Sequence, residues 1–273
     1  SIGPGAILRD LIESKLIPCI ILEEVFRQGK GSRILENANK LVKGEKDLNL
    51  ETSDEFKFID VKNILDIQEN IISSIKNLLK SGYKMNDIQV ITPMNKGDIG
   101  ALELNRLIQD KFNPKRTYKP EIKVADKVFR VGDKVMQTVN NYELNVFNGE
   151  TGRIVKITND SSINKVVVKF KDRMVMYTGS SISQLALAYA ITVHKAQGGE
   201  FKTIIMPIHS SQSIILSRNL VYTAWTRAKE KLVCIGDTEE LYRSINKVDI
   251  VERNSQLKDE LIEIRKKLID IPV

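Results

Sequence analysis

Short apolar runs alternate with amphipathic segments along most of this chain, and this alternation restricts its fold more than any other feature. Ile17–Leu22 and Asp87–Thr92 (DIQVIT) read as buried strands. Ser32–Val42 and Val61–Lys80 instead place apolar residues at helical spacing. The same reading gives further helices at Ala6–Lys15 and Ala101–Lys111 and a short strand at Phe56–Asp60. Buried strands that alternate with helices predict an α/β fold with a parallel sheet.

The pattern changes near Asn113, and from Lys127 to Tyr177 apolar and polar residues alternate with period two. Four strands are predicted in this stretch, at Lys134–Val139, Thr151–Thr158, Lys165–Phe170 and Arg173–Tyr177. The Asn148-Gly149 pair is a turn signal. We therefore expect a small SH3-like β-barrel inserted into the α/β domain.

The α/β pattern resumes after Ser180. It predicts a helix up to His194, a strand at Thr203–Pro207, a helix at Ile214–Ala228 and a strand at Leu232–Gly236. A charged helical tail is expected at Asn254–Leu268.

Composition narrows the class of protein without identifying a function. The 273 residues include 42 Lys+Arg against 35 Asp+Glu, for a net charge of +7. A basic chain suits a polyanionic partner, although many basic proteins bind no nucleic acid. No apolar stretch is long enough to span a membrane. The two cysteines, Cys19 and Cys234, lie in apolar runs and are expected to be buried free thiols.

Two segments near the C-terminal end concentrate polar groups of the kind that contact phosphates. Leu187–Phe201 (LAYAITVHKAQGGEF) places Thr, His, Lys and Gln after an apolar run and ends on Gly-Gly-Glu, while Asn219–Leu232 (NLVYTAWTRAKEKL) carries Arg227 on a helical pattern. No nucleophile or carboxylate has an evident place beside His194, so a catalytic histidine is not indicated. Taken alone, Arg227 is better explained as a solvated arginine at a helix end.

The ordered set of motifs resembles a known family. The two segments resemble motifs V and VI of superfamily 1 helicases in their RecD-type form. The opening Ser1-Ile2-Gly3-Pro4-Gly5 resembles the tail of motif III, Arg27-Gln28 resembles motif IV, and Ile91–Gly100 (ITPMNKGDIG) resembles the RecD-type TPM-x-KG-x-x-G segment. The sequence has Ala196 and Gly199 at positions where the family often has serine.

The resemblance implies the C-terminal half of a superfamily 1B DNA helicase of the exodeoxyribonuclease V alpha type, moving 5′ to 3′. Its domains would be the end of the first RecA-like domain (1–19), a second RecA-like domain (20–115 and 180–245), the SH3-like insertion (116–179) and a helical tail (246–273). Because the chain starts without Met and on a motif III tail, it is expected to be a fragment.

The resemblance also assigns roles to residues. Arg27 and Arg227 would reach the γ-phosphate, and Gln28, Gly198 and Glu200 would contact the nucleotide. The single-stranded DNA contacts would be Thr92, Asn95, Lys96, Asn141, Tyr142, Thr192, His194, Lys195 and Gln197. The start of the helix at Ala101 is expected to offer free N–H groups to phosphate.

The sequence contains neither a G-x-x-x-x-G-K-[ST] phosphate loop nor an acidic Walker B pair, and Gly29-Lys30-Gly31-Ser32 lacks the required spacing. The resemblance therefore implies that ATP and Mg²⁺ are bound mainly by the N-terminal half of the same polypeptide. This chain alone should not hydrolyse ATP, and no metal ligands are expected in it.

Two other functions stay open. The chain fits a non-catalytic module that binds single-stranded nucleic acid, and it also fits the helicase part of a conjugative relaxase. Within the helicase interpretation, the resemblance implies a cytoplasmic protein of DNA recombination and repair. Its partners would be single-stranded DNA and the subunits of an exonuclease–helicase complex.

Overall fold

The computed structural model describes residues 7–20, 31–159, 164–247 and 256–269. The helices in this part of the chain are α1 (Ile7–Ser14), α2 (Arg33–Lys43), α3 (Ile64–Lys80), α4 (Ala101–Phe112), α5 (Arg218–Trp225), α6 (Thr238–Asn246) and α7 (Leu257–Ile269). The strands are β1 (Phe56–Asp60), β2 (Ile88–Thr92), β3 (Glu121–Val124), β4 (Lys127–Arg130), β5 (Lys134–Gln137), β6 (Thr151–Asn159), β7 (Asn164–Lys169), β8 (Met174–Thr178), β9 (Leu185–Leu187), β10 (Ala190–Thr192), β11 (Phe201–Ile208) and β12 (Ala228–Gly236).

Five strands form a parallel sheet in the order β1-β12-β11-β2-β10. Successive residues of β11 point to opposite faces, so that Ile204 joins one apolar cluster and Ile205 joins the other. The first cluster contains side chains of α2, α5 and α6, and the second contains side chains of α3 and α4. Helices therefore cover both faces of the sheet, as the apolar strand runs predicted.

The insertion forms its own antiparallel sheet in the order β8-β7-β6-β5-β9, beside the hairpin of β3 and β4. Its core includes Phe129, Val168 and Tyr177, which are almost fully buried. The four predicted barrel strands are confirmed to within two residues at each end. The short strand β9 pairs with β5, and only Ala188 and Tyr189 separate β9 from β10 of the parallel sheet.

A buried polar joint connects the insertion to the parallel sheet. The Asp133 carboxylate accepts hydrogen bonds from Asn113 Nδ2 (2.6 Å) and Gln109 Nε2 (2.6 Å) of the α4 region and from Tyr189 Oη (3.0 Å). The Arg130 N–H is a fourth donor at 2.6 Å. Burial raises the pKa of Asp133, and the four donors act in the opposite direction.

The next residue, Lys134, turns toward the parallel sheet. Its Nζ donates to Ile88 O (3.0 Å) and to Gln89 Oε1 (2.9 Å), and burial lowers its pKa to about 8. The Gln89 amide donates in turn to the carbonyls of Ala188 and Tyr189, both at 3.1 Å. The joint therefore fixes both residues through which the chain returns from the insertion.

Three predictions about local structure are wrong. The predicted helix up to His194 is the strands β9 and β10 followed by turns. Residues 17–20 of the predicted strand Ile17–Leu22 form no regular structure, and the rest of it lies outside the described residues. Cys19 is an exposed thiol, whereas Cys234 is buried as expected and burial raises its pKa.

Candidate nucleic-acid interface and arginine site

Two of the sequence motifs meet where β2 and β10 end, an edge of the sheet that we call the carboxyl edge. Thr92 and Thr192 are the last residues of these two strands and are direct partners in the parallel register. The Val193 N–H donates to Thr92 O at 3.1 Å, so that the backbone bonds continue one residue past the strands. The loops that begin at residues 93 and 193 therefore start side by side, as parallel strands require.

Most of the residues assigned to single-stranded DNA are exposed at this edge. Asn95 and Lys96 in the first loop and His194, Lys195 and Gln197 in the second are all solvent-exposed. Thr192 is half-buried, and its hydroxyl accepts a hydrogen bond from the Lys195 N–H at 3.4 Å. The structure brings together two lysines, a histidine and two amide side chains on one surface, a set that suits a phosphate backbone.

Thr92 is the exception, because its side chain is fully buried. Its hydroxyl donates to Ile99 O at 2.7 Å and accepts from Gln212 Nε2 at 3.0 Å. Both bonds are internal, so the predicted contact between this side chain and DNA is not supported. Thr92 instead connects the two ends of the loop of residues 93–100 through its hydrogen bond to Ile99 O.

The N–H groups at the start of α4 are also used internally. Ala101 N donates to Met94 O and Leu102 N donates to Asn95 O, each at 3.0 Å. The expectation that this helix start offers these two N–H groups to phosphate is therefore wrong. The loop instead presents the exposed side chains of Asn95, Lys96 and Asp98.

The segment from residue 193 to residue 200 crosses from the carboxyl edge to the opposite end of the sheet. Phe201 begins β11 and pairs with Ala228 at the beginning of β12, which defines the amino edge. In the register of the sheet, Thr92 is level with Pro207, six residues above Phe201. At about 3.3 Å per strand residue, these six residues separate the two edges by roughly 20 Å, which the segment of residues 193–200 has to cross. One short stretch of chain thus reaches both edges.

Arg227 lies at the amino edge, directly before β12. Its guanidinium is half-buried and donates from Nε to Thr223 O (3.2 Å) and from Nη1 to Gly199 O (3.5 Å). Gly198 adopts φ 76°, a left-handed conformation that glycine tolerates at no steric cost. Glu200 forms an ion pair with Lys229. The arginine and the glycine loop assigned to the nucleotide are therefore in contact.

The other assigned arginine, Arg27, and its neighbour Gln28 lie outside the described residues, as does the Ser1–Gly5 segment. Their proximity to Arg227 stays a prediction from sequence.

The barrel carries two exposed aromatic side chains. Tyr142 is 78% exposed and Phe147 is 42% exposed, and their rings pack edge to face with centroids 6.1 Å apart. Asn141 does not share this exposure. Its amide nitrogen donates to Gln184 Oε1 (3.0 Å) and its oxygen accepts from the Leu144 N–H (2.9 Å), so it shapes the loop that carries Tyr142.

Sequence reasoning missed Gln212. It lies in the polar run His209-Ser210-Ser211-Gln212-Ser213, which reads as an ordinary surface loop. In the structure its side chain is 1% exposed and bonds to Thr92, 120 residues earlier in the chain. No signal in the sequence marked this residue, because local polarity does not reveal a partner so distant along the chain.

Comparison with known proteins supports the fold described above. Residues 104–170 match a family model described as the ATP-dependent RecD-like DNA helicase SH3 domain, and residues 187–235 match the UvrD-like helicase C-terminal domain. The ATP-dependent RecD2 DNA helicase of Deinococcus radiodurans is 33% identical over 228 residues, which cover 80% of this chain and 29% of that protein. The RecBCD enzyme subunit RecD of Mycobacterium tuberculosis is 24% identical over 263 residues, or 90% of this chain and 44% of that protein.

The chain therefore spans less than half the length of these two relatives. Among solved structures, the Pif1 helicase from Bacteroides in complex with ADP-AlF3 and ssDNA superposes with a TM-score of 0.50 at 18% identity, covering 92% of this chain and 57% of that one. These matches confirm the predicted fold class, a helicase-type parallel sheet with an SH3-like insertion. The predicted domain limits stay predictions. No helix among the described residues is long and apolar enough to cross a membrane.

Proposed function

We propose that this chain is the C-terminal motor half of an ATP-dependent 5′–3′ DNA helicase. The premise is that it is a homologue of RecD-like DNA helicases, with their SH3 domain and a helicase C-terminal domain. The arrangement of the two edges is the observation that carries the proposal. Groups suited to a DNA backbone lie at the carboxyl edge, Arg227 lies at the amino edge, and the segment of residues 193–200 joins them.

In this proposal the amino edge faces a nucleotide held on another domain, where ATP and Mg²⁺ are bound by the N-terminal half of the same polypeptide. Arg227 would approach the γ-phosphate, where a guanidinium balances the charge that builds during phosphoryl transfer. Arg27 would act from the same side, with Gln28, Gly198 and Glu200 beside the nucleotide. Arginine suits this role because it stays charged and can contact two phosphate oxygens at once.

The carboxyl edge would hold single-stranded DNA through Asn95, Lys96, Thr192, His194, Lys195 and Gln197, with Tyr142 of the barrel stacking on a base. Asn141 would act by shaping the loop of Tyr142. Closure of the cleft around ATP would move this DNA grip relative to one on the other half, and hydrolysis would reopen the cleft. Such cycles would move the motor along the strand in the cytoplasm during recombination and repair. The resemblance to RecD further suggests partners in an exonuclease–helicase complex.

The first test uses the full-length polypeptide and compares the ATPase rate with and without single-stranded DNA. We expect Arg227→Ala to lower the DNA-stimulated kcat by roughly 10³-fold or more, the range found for arginines that act on a γ-phosphate. Arg227→Lys should recover little, because an ammonium cannot grip a phosphate bidentately. Arg243→Ala is the matched control, since Arg243 is 66% exposed on α6. Normal turnover in Arg227→Ala would refute the assignment.

A second test addresses the DNA grip. Lys96→Ala with Lys195→Ala should weaken binding of an oligo(dT) strand and lower the slope of log K against log salt by about 1.4, at roughly 0.7 per phosphate contact on a single strand. Lys57→Ala, an exposed lysine on the edge strand β1, should change neither quantity. An unchanged slope in the double variant would remove the carboxyl edge from the DNA path. Strand binding without any stimulated ATPase in the full-length protein would favour a non-catalytic binding module.

A further inference from the structure

Three separate parts of the chain converge on Thr92 beneath the carboxyl edge. Its carbonyl accepts from Val193 N (3.1 Å), and its hydroxyl donates to Ile99 O (2.7 Å) while accepting from Gln212 Nε2 (3.0 Å). The first bond reaches the segment of residues 193–200, the second closes the loop of residues 93–100, and the third reaches the loop of residues 209–217.

Gln212 is suited to pass on a movement of Thr92 because both ends of its amide are engaged. Its Nε2 donates to Thr92, and its Oε1 accepts from the His209 N–H at 3.2 Å. The Gln212 backbone N–H also donates to His209 O at 2.9 Å, which makes residues 209–212 a compact turn. A side chain that is 1% exposed with a fixed donor and a fixed acceptor has little freedom to rearrange independently.

The turn held by Gln212 leads directly into α5. The Leu216 N–H donates to Gln212 O at 2.8 Å, and the helix begins two residues later at Arg218. The eight residues of α5 lie on the path from the end of β11 at the carboxyl edge to the amino edge, where Arg227 follows. A rigid helix of this length covers about 12 Å.

We infer that Gln212 is a positioning residue that couples occupancy of the DNA-facing loop to the placement of Arg227. A strand bound on Asn95 and Lys96 shifts the loop closed by Thr92, Gln212 carries the shift to the start of α5, and α5 delivers it to the arginine. This inference rests on the proposed function. It adds to it a second path beside the segment of residues 193–200, through a residue that touches neither DNA nor nucleotide.

The test replaces Gln212 in the full-length protein by Met, which keeps the length of the side chain and removes both hydrogen-bonding ends. We expect the Kd for oligo(dT), the basal ATPase and the KM for ATP to stay within about twofold of wild type. The DNA-stimulated kcat should fall at least about fivefold, the lower end of typical coupling between sites. Thr92→Val should reproduce this loss, and Thr92→Ser, which keeps the hydroxyl, should restore most of the stimulation.

The outcomes separate the inference from the proposed function. Full stimulation in Gln212→Met would overturn the inference while the wild-type stimulation upholds the helicase assignment. A parallel loss of DNA binding, basal rate and thermal stability would show a purely structural role for Gln212 and would also overturn it.

A second measurement does not depend on ATPase activity. Hydrogen exchange on the protein with and without oligo(dT) should show altered protection both in residues 93–100 and in residues 209–227. In Gln212→Met the change should remain in residues 93–100 alone. Changes confined to residues 93–100 in the wild type, or no response to oligo(dT) in either segment, would contradict the coupling path.

Discussion

The polar joint beneath the barrel allows a sharp prediction for Asp133→Asn. The two side chains have the same shape, but asparagine replaces one carboxylate oxygen by an NH₂ group. Each oxygen of Asp133 accepts two hydrogen bonds, Oδ1 from Asn113 and Tyr189 and Oδ2 from Gln109 and the Arg130 N–H. Whichever oxygen is replaced, two hydrogen bonds from buried donors are lost, and of these donors only the Tyr189 hydroxyl can turn to accept from the new NH₂ group.

The expected size of the effect follows from these contacts. A buried donor left without a partner costs about 1–3 kcal/mol, so two of them cost about 2–6 kcal/mol. Asparagine avoids the desolvation that raises the pKa of the Asp133 carboxyl, which places the net loss in the lower half of that range. A loss of about 3 kcal/mol corresponds to a fall in Tm of roughly 6–12 °C in a chain of this size.

Thermal unfolding followed by circular dichroism measures this directly. Asp126→Asn is the matched control, because Asp126 is exposed in the turn between β3 and β4 and should change the free energy of unfolding by less than about 0.5 kcal/mol. An Asp133→Asn variant as stable as this control would show that the joint tolerates unpaired donors, and the reasoning would fail.

Three further outcomes are expected. Lys134→Met removes an ammonium group whose pKa is lowered by burial to about 8. Between pH 8 and 10.5 the unfolded state binds more protons at Lys134 than the folded state, so the stability of the wild type relative to the variant should rise with pH. A stability difference in urea titrations that stays constant with pH would contradict this. Gly236→Ala should abolish folding, because a Cβ there would lie 1.8 Å from a carbonyl oxygen of β11. Gly82→Ala is the control in the same denaturation assay: a Cβ there meets nothing within 4 Å, so only its positive φ should lower the free energy of unfolding, by about 1–2 kcal/mol. Glu55→Ala should cost about 1 kcal/mol, since the Glu55 carboxylate accepts the Arg33 N–H and caps α2, and an unchanged urea midpoint would show that the cap contributes nothing.

Sequence patterns predicted those parts of the fold in which each strand carries its own signal. The runs Ile88–Thr92 and Phe201–Ile208 are apolar enough to mark central strands, and the period-two stretches marked the barrel. The stretch Leu187–Thr192 misled because Ala and Leu favour helices, and a strand as short as β10, three residues, has too little length for periodicity to decide. Only its pairing with β2 makes it a strand.

Sequence reasoning placed most of the predicted DNA-contact residues at exposed positions but also selected polar side chains that bond internally, and the DNA contacts themselves stay predictions. Lys96, His194 and Lys195 are exposed, as a DNA contact requires. The side chains of Thr92 and Asn141 instead form hydrogen bonds inside the protein. A polar residue in a loop is predicted to face solvent because most do. Thr92 and Asn141 also bond to Gln212 and Gln184, which are 120 and 43 residues away, and the sequence does not specify such distant partners locally.

The exit from the barrel into β10 has a consequence for engineering. Ala188 and Tyr189 are bonded on both sides, with Ala188 N donating to Lys134 O (2.8 Å) and Tyr189 O accepting from Val90 N (3.1 Å). The insertion is therefore not joined to the parallel sheet through a flexible linker at this point, and it cannot be exchanged freely for another barrel. A foreign barrel grafted at this point would have to reproduce the tilt of the native one to within a fraction of a strand spacing, or it would twist Thr192 and the loop that follows out of register.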